Sequence, residues 1–156
     1  MTQEENPEQN PLANQQGTGG KRILATREDV ELLVNLFYNK VRDNAMLGHV
    51  FDTVARVNWE KHLPKMYNFW EMILFGTEGY DGHPLRPHLI INSVHPITIP
   101  HFEQWLVLFF QTLDENFEGE KAEEAKTRAY NIANAWAHKI DYMNKLNNTS
   151  TIEVNS

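Results

Sequence analysis

The sequence predicts an all-α fold built on four main helices, and three observations carry that expectation. Apolar residues recur every three or four positions along four separate stretches, glycine and proline crowd together between the second and third, and strand-like alternation never persists outside the helical pattern. With 156 residues, 41% hydrophobic and 22% charged, the chain has the length and balance of one globular domain with a single core.

Met1 to about Gly20 is rich in Gln, Asn, Glu, Pro and Gly and nearly free of apolar residues, a composition that cannot offset the entropy of ordering. Residues 1–22 are therefore expected to be a disordered tail. Residues 147–156, opening on Asn147-Asn148-Thr149-Ser150, read the same way, which leaves one folded domain over 23–146 with no internal repeat.

Thr26 with Asp29 three residues later predicts a capping box. Val30, Leu33, Val34, Phe37, Tyr38 and Val41 then form one apolar face that fades near Asp43-Asn44. The short apolar segment Ala45–Phe51 contains Gly48 and predicts a tight turn that brings Phe51 inward. Asn58 is placed to cap a second helix ending at Gly76, with His62, Met66, Phe69 and Ile73 sharing a face and Pro64 confined to its first turns. From Gly76 to Pro100 three glycines and four prolines argue against long regular structure, with at most a short turn or two near His88. A third helix follows Pro100, carrying Phe102, Trp105, Leu106, Phe109 and Leu113. A fourth follows Gly119, with the stripe Ala122, Ala125, Ala129, Ile132, Ala133, Trp136, Ile140 and Met143.

Composition removes several function classes. The net charge of −7 argues against a phosphate-tracking surface and so against nucleic acid as a partner. The absence of cysteine excludes disulfides, thiolate metal sites, cysteine nucleophiles and thioether-attached haem. No apolar run is long enough to span a membrane and the N-terminus lacks a secretory pattern, so the expected location is cytoplasmic. Glu-x-x-His pairs, His-Glu-x-x-His, a Gly-x-Ser-x-Gly elbow and glycine-rich nucleotide loops are all missing.

Chemistry therefore rests on a few polar groups within apolar stripes. Tyr38, His62 and Trp105 each fall on the buried face of a different helix, and each polar tip needs a partner if buried. Backbone carbonyls or surface water would satisfy each of them singly; together with an isolated histidine they describe a pocket whose donors converge. That histidine is His88, in Pro84-Leu85-Arg86-Pro87-His88-Leu89-Ile90. Pro87 marks a chain break just before it, and Leu85 and Leu89 give it apolar company.

Several motifs occur in one order: Leu36-Phe37-Tyr38-Asn39-Lys40-Val41-Arg42, Leu47-Gly48-x-Val50-Phe51, Trp59-Glu60-Lys61-His62 with Asn68-Phe69-Trp70, Gly79-Tyr80-Asp81-Gly82-x-Pro84-Leu85-Arg86-Pro87-His88-Leu89, and Phe102-x-x-Trp105-Leu106. Together, over about Ile23 to Met143, they closely resemble the group III truncated haemoglobins. The glycine pairs of the other truncated groups are missing from the core, since Gly19-Gly20 lies in the tail. The resemblance implies a two-over-two helical sandwich around haem b (iron protoporphyrin IX), with His88 as the iron ligand. It further implies a distal side lined by Tyr38, His62 and Trp105, and a porphyrin packed by Phe37, Phe51, Met66 and Phe69; Leu85 and Leu89, on either side of His88, are expected to contact the cofactor as well.

The connection from His88 to Trp105 is longer than the family pattern and brings in His95, and more distantly His83, as rival ligands. His88 is preferred because each rival precedes a proline in polar, extended surroundings. His49, His101 and His138 are read as solvated or capping residues.

The function implied is binding of dioxygen and other small ligands (nitric oxide, carbon monoxide or peroxide), with possible detoxification of nitric oxide or peroxide that would draw on an external reductase. Donors from Tyr38 and Trp105 would make oxygen release slow. The alternatives are a reversible oxygen carrier or sensor, a six-coordinate electron-transfer haem with His62 on the iron, and a helical interaction module without cofactor.

Overall fold

The computed structural model describes residues 20–154, with side chains described as far as residue 148. Most of the expected N-terminal tail, residues 1–19, lies outside the described residues. The chain from Arg22 onward is built around Asp29, a fully buried carboxylate at the start of helix α1 (Arg27–Asp43). Its Oδ2 accepts from the backbone N–H groups of Ala25 (2.9 Å) and Thr26 (2.8 Å) and from the Thr26 hydroxyl (2.9 Å). Thr26 Oγ1 in turn accepts from the Asp29 N–H at 3.3 Å. The capping box thus satisfies the donors that a helix start leaves open. Arg22 Nε sits 2.6 Å from Asp29 Oδ1, a charge contact without hydrogen-bond alignment.

Arg22 therefore belongs to the ordered chain, one residue earlier than the sequence placed its start. Residues Arg22–Ile23 (β1) pair in parallel with Phe117–Glu118 (β2), where no strand was expected. Two residues are too few for alternation to register. The pairing joins distant parts of the chain, with the Asp29–Arg22 charge contact on one side and Gly119, at φ 101°, turning the chain beside Ile23 on the other.

Helix α2 (Ala45–Gly48) follows, and a π-helical turn over His49–Val54 carries Phe51 to the inner wall. A β-carbon on Gly48 would come within 2.6 Å of the Arg42 carbonyl oxygen, so only glycine permits this close return. Helix α3 (Trp59–Phe75) starts at Asn58 without the expected side-chain cap bond. It ends at Gly76, whose φ of 71° lets its N–H reach the Met72 carbonyl at 2.9 Å. Pro64 lies at its sixth position and removes the N–H that would have reached the Glu60 carbonyl.

The segment read as irregular contains a ten-residue helix, α4 (Leu85–Val94), and Pro87 does not break it. Pro87 is the third helical residue, where an N–H has no intrahelical acceptor, so its ring costs no hydrogen bond. Helix α5 (Ile99–Asn116) opens on a second capping box, in which the Thr98 N–H donates to His101 Nδ1 at 3.0 Å. Helix α6 (Glu120–Val154) continues past Leu146 through the Asn- and Thr-rich stretch expected to be a tail. Low helix propensity there is a weak term once the preceding turns are formed.

Helices α1 and α3 pack together, α5 lies against α1 and α6, and α6 touches α3 and α4, the layering of a two-over-two globin. Alanines 122, 125, 129 and 133 form the small-residue stripe that lets α6 approach closely. Among the described residues no helix is long and apolar enough to cross a membrane.

Replacing Asp29 by alanine should lower unfolding stability by about 2–4 kcal/mol, since it removes a helix cap and strands Arg22. Urea denaturation followed by circular dichroism checks this; a loss within error of zero would contradict the anchoring role.

Candidate functional site

The helices enclose a cavity of about 560 Å³, a size suited to a large planar cofactor. One wall comes from α4. Pro84, Pro87, His88 and Ile91 face the cavity, whereas Leu85 and Leu89 do not line it. His88 and Ile91 are one turn apart on the helix. His88 Nδ1 lies 2.8 Å from the Pro84 carbonyl oxygen. A carbonyl only accepts, so Nδ1 carries the proton and Nε2 keeps a free lone pair. Burial pushes the His88 pKa down against the opposing pull of that hydrogen bond, keeping the ring neutral. The indole of Trp136, from α6, tilts against the imidazole at 4.9 Å.

The α4 wall is tied to α6 by an amide clasp. Asn92 Nδ2 donates to Asn144 Oδ1 at 2.8 Å, and Asn92 Oδ1 accepts the Ile97 N–H at 2.8 Å. Asn92 is buried, and the clasp fixes both ends of the turn that follows His88.

Across the cavity stand Tyr38 of α1, His62 of α3 and Trp105 of α5. The Tyr38 ring is buried among those of Phe51, Trp59 and His62, and burial holds its phenol neutral, far above the usual range. Tyr38 lines the cavity wall, and its neutral phenol is a hydrogen-bond donor. His62 Nε2 is buried without any partner among the described residues. Its pKa falls to about 4, first through burial and then through the nearby His88 and Lys65. Trp105 stacks on Phe109 at 5.4 Å and meets Phe37 edge-on at 5.3 Å, and Phe109 stacks in turn on Trp70 at 4.8 Å. The two contacts on Trp105 itself, each worth about 0.5–1.5 kcal/mol, hold the indole in one pose, and the Phe109–Trp70 stack backs them.

A family model for bacterial-like globins matches residues 23–139. The group 3 truncated hemoglobin of Campylobacter jejuni is 33% identical over 117 residues, covering 73% of this chain and 90% of that one. A crystal structure of the group III truncated hemoglobin from the same species superposes with a TM-score of 0.67 at 31% identity, covering 77% of this chain and 94% of that one. The chain belongs to the group III truncated haemoglobins. Haem binding, and binding of diatomic ligands at the haem, are properties of this globin family.

The cavity of this truncated haemoglobin fits such a group. It offers an apolar slot, a neutral imidazole with its free nitrogen inward, and on the facing side an unpartnered buried nitrogen. Of the residues that the sequence named for packing, Phe51, Met66 and Phe69 line the slot. Phe37 does not; at 1% exposed it sits one layer back, supporting Tyr38 and Trp105 edge-on. His83 reaches the rim, and His95 does not line the cavity. His101 both lines it and closes the α5 capping box, as the capping reading expected.

Trp136, Ile91 and Tyr80 were not named as site residues. Trp136 was on the apolar stripe of α6, but a stripe does not say which cavity it faces. Tyr80 packs edge-on against Phe69 at 5.4 Å across a long connection that no local pattern specifies.

The histidine shifts fix a pH dependence. Because the folded pKa of His62 is depressed from 6.5 to about 4, the unfolded chain binds the proton first, and stability falls as pH drops through that window. The urea midpoint of the apoprotein should decline from pH 7 to pH 5, and His62→Leu should remove part of the decline. An unaltered pH profile in that variant would contradict the assignment.

Proposed function

We propose that this protein binds haem b through His88 and retains dioxygen too firmly for simple delivery, serving instead to consume nitric oxide or peroxide in the cytoplasm. When bound, the haem supplies an iron with an open position for a diatomic ligand or peroxide. The chain's own residues then decide what happens to that ligand. The observation that carries the reading is a single cavity lined by two donor residues, Tyr38 and Trp105, together with the neutral imidazole of His88.

A dioxygen ligand gains partial negative charge, and donors already aimed at it need no reorganisation. The Tyr38 phenol is kept protonated by burial and the indole can only donate, so neither competes as an acceptor. Hydrogen bonds to a charged acceptor contribute about 1.5–3 kcal/mol, or roughly 10- to 150-fold in retention. His62, neutral near pH 7, closes the remaining side. Its unpartnered Nε2 keeps a second reading in view, in which His62 itself takes the open iron position and the haem serves electron transfer. A reversible carrier or sensor is the other alternative. Turnover needs electrons from an external reductase, since no flavin or nicotinamide motif occurs in the chain.

Tyr38→Phe and Trp105→Phe should each speed oxygen dissociation by roughly 10-fold or more in stopped-flow measurements. Unchanged rates in both variants would sink the donor account. With an electron donor supplied, repeated additions of nitric oxide to the oxygenated protein should yield nitrate in many-fold excess over haem; a carrier without turnover would stop at one nitrate per haem. A six-coordinate ferrous spectrum would favour His62 as a ligand.

A further inference from the structure

We propose that Trp136 is the residue through which electrons enter the haem site from outside, acting as a one-electron relay during peroxide reduction. This rests on the peroxide part of the reading above and concerns a residue on the opposite side of the imidazole from the distal donors. The juxtaposition that carries it is a readily oxidised indole in ring contact, at 4.9 Å, with the imidazole proposed to hold the iron, on a side chain that is itself only half-buried. Trp136 lines the cavity, is in ring contact with His88 and is only partly buried.

The other tryptophans and Tyr38 are placed worse for this task. Arg42 lies over the Trp59 ring at 4.9 Å, and a cation there opposes removal of an electron. The cation contacts of the described residues fall on Tyr67, Trp59 and Phe75, and none falls on Trp136. Trp70 is 2% exposed and stacks on Phe109, an inert ring, so it has no contact with a donor in solution. Trp105 shares that phenylalanine and faces the distal ligand. Tyr38 would have to lose its phenolic proton in a buried, apolar setting, where the resulting charge is penalised.

The step balances as follows. Reduction of one hydrogen peroxide to two water molecules consumes two electrons and two protons and breaks the O–O bond. Each electron is passed inward by the indole of Trp136, which releases its N–H proton to solvent and becomes a neutral radical. A one-electron donor of the ascorbate class then returns an electron and a proton to the indole. Two passages complete the reduction and regenerate the side chain.

The test uses full-length, haem-loaded ferric protein mixed with hydrogen peroxide, freeze-quenched and read by electron paramagnetic resonance, with ring-deuterated tryptophan in one sample and ring-deuterated tyrosine in another. The expected result is an organic radical whose hyperfine structure changes with labelled tryptophan only. It should be lost in Trp136→Phe and retained in Trp59→Phe, and ascorbate-driven peroxide consumption should slow by at least 10-fold in Trp136→Phe. Trp136→Tyr keeps an oxidisable ring and should convert the signal to a tyrosyl one, which serves if the phenylalanine variant loses haem. Persistence of the tryptophan signal in Trp136→Phe, a tyrosine-centred signal in the parent protein, or peroxide consumption without any radical would each overturn the relay while leaving peroxide reduction standing. If the parent protein does not consume peroxide at all, the peroxide reading fails and the relay with it.

Discussion

The hydrogen bond from His88 Nδ1 to the Pro84 carbonyl, at 2.8 Å, decides which nitrogen of the ring faces the cavity. A free imidazole exchanges its proton between two positions and turns about its side-chain bonds; here a backbone acceptor four residues earlier fixes both tautomer and plane. That acceptor is the N-cap carbonyl of α4, one turn before His88, whose two lone pairs can serve the ring N–H as well as the helix. Under the function proposed above, the iron would be held by one neutral nitrogen whose partner is an uncharged carbonyl. The ligand is then less electron-rich than one hydrogen-bonded to a carboxylate.

The rest of the architecture keeps that wall at a set distance from the one opposite. Asn92 and Asn144 bind α4 to α6, while Arg27 reaches from α1 to Asn68 at 2.7 Å and Glu71 at 2.5 Å on α3. Phe109, wholly buried, stacks between Trp70 and Trp105 and so couples α3 to α5. Donors drawn from three helices can converge only if the helices do not slide, and these contacts oppose sliding. The burial that keeps Tyr38 and His62 uncharged also raises the cost of leaving their polar atoms unpaired. An apolar slot with two underused polar groups is a site arranged for a ligand to complete.

Much of this was readable from residue types in order. The helical stripes of α1, α3, α5 and α6 announce themselves by period, and the Thr26–Asp29 box is a local signal. Tyr38, His62 and Trp105 stood out as polar tips on apolar faces, and the structure brings all three to one cavity. Helix α4 was hidden because its prolines look like breakers; their effect depends on position within the first turn, which composition does not report. Leu85 and Leu89 were assigned to the pocket by adjacency to His88, but once the segment is helical, neighbours in sequence diverge in direction. Phe37 lies outside the cavity lining for a different reason. A stripe shows that a side chain is buried, not whether it forms the wall or the layer behind it. The β1–β2 pairing and the Asn92–Asn144 clasp depend on contacts between distant parts of the chain and leave no local trace.

The account depends most on His88 as the iron's protein ligand. The direct measurement is resonance Raman and absorption spectroscopy of His88→Gly purified with haem, before and after adding imidazole. The account predicts weak haem retention and no iron–histidine stretching band in the ferrous variant, with the band and the parent spectrum returning when free imidazole occupies the vacated space. A variant that keeps its haem with the parent iron–histidine band, without added imidazole, would contradict it.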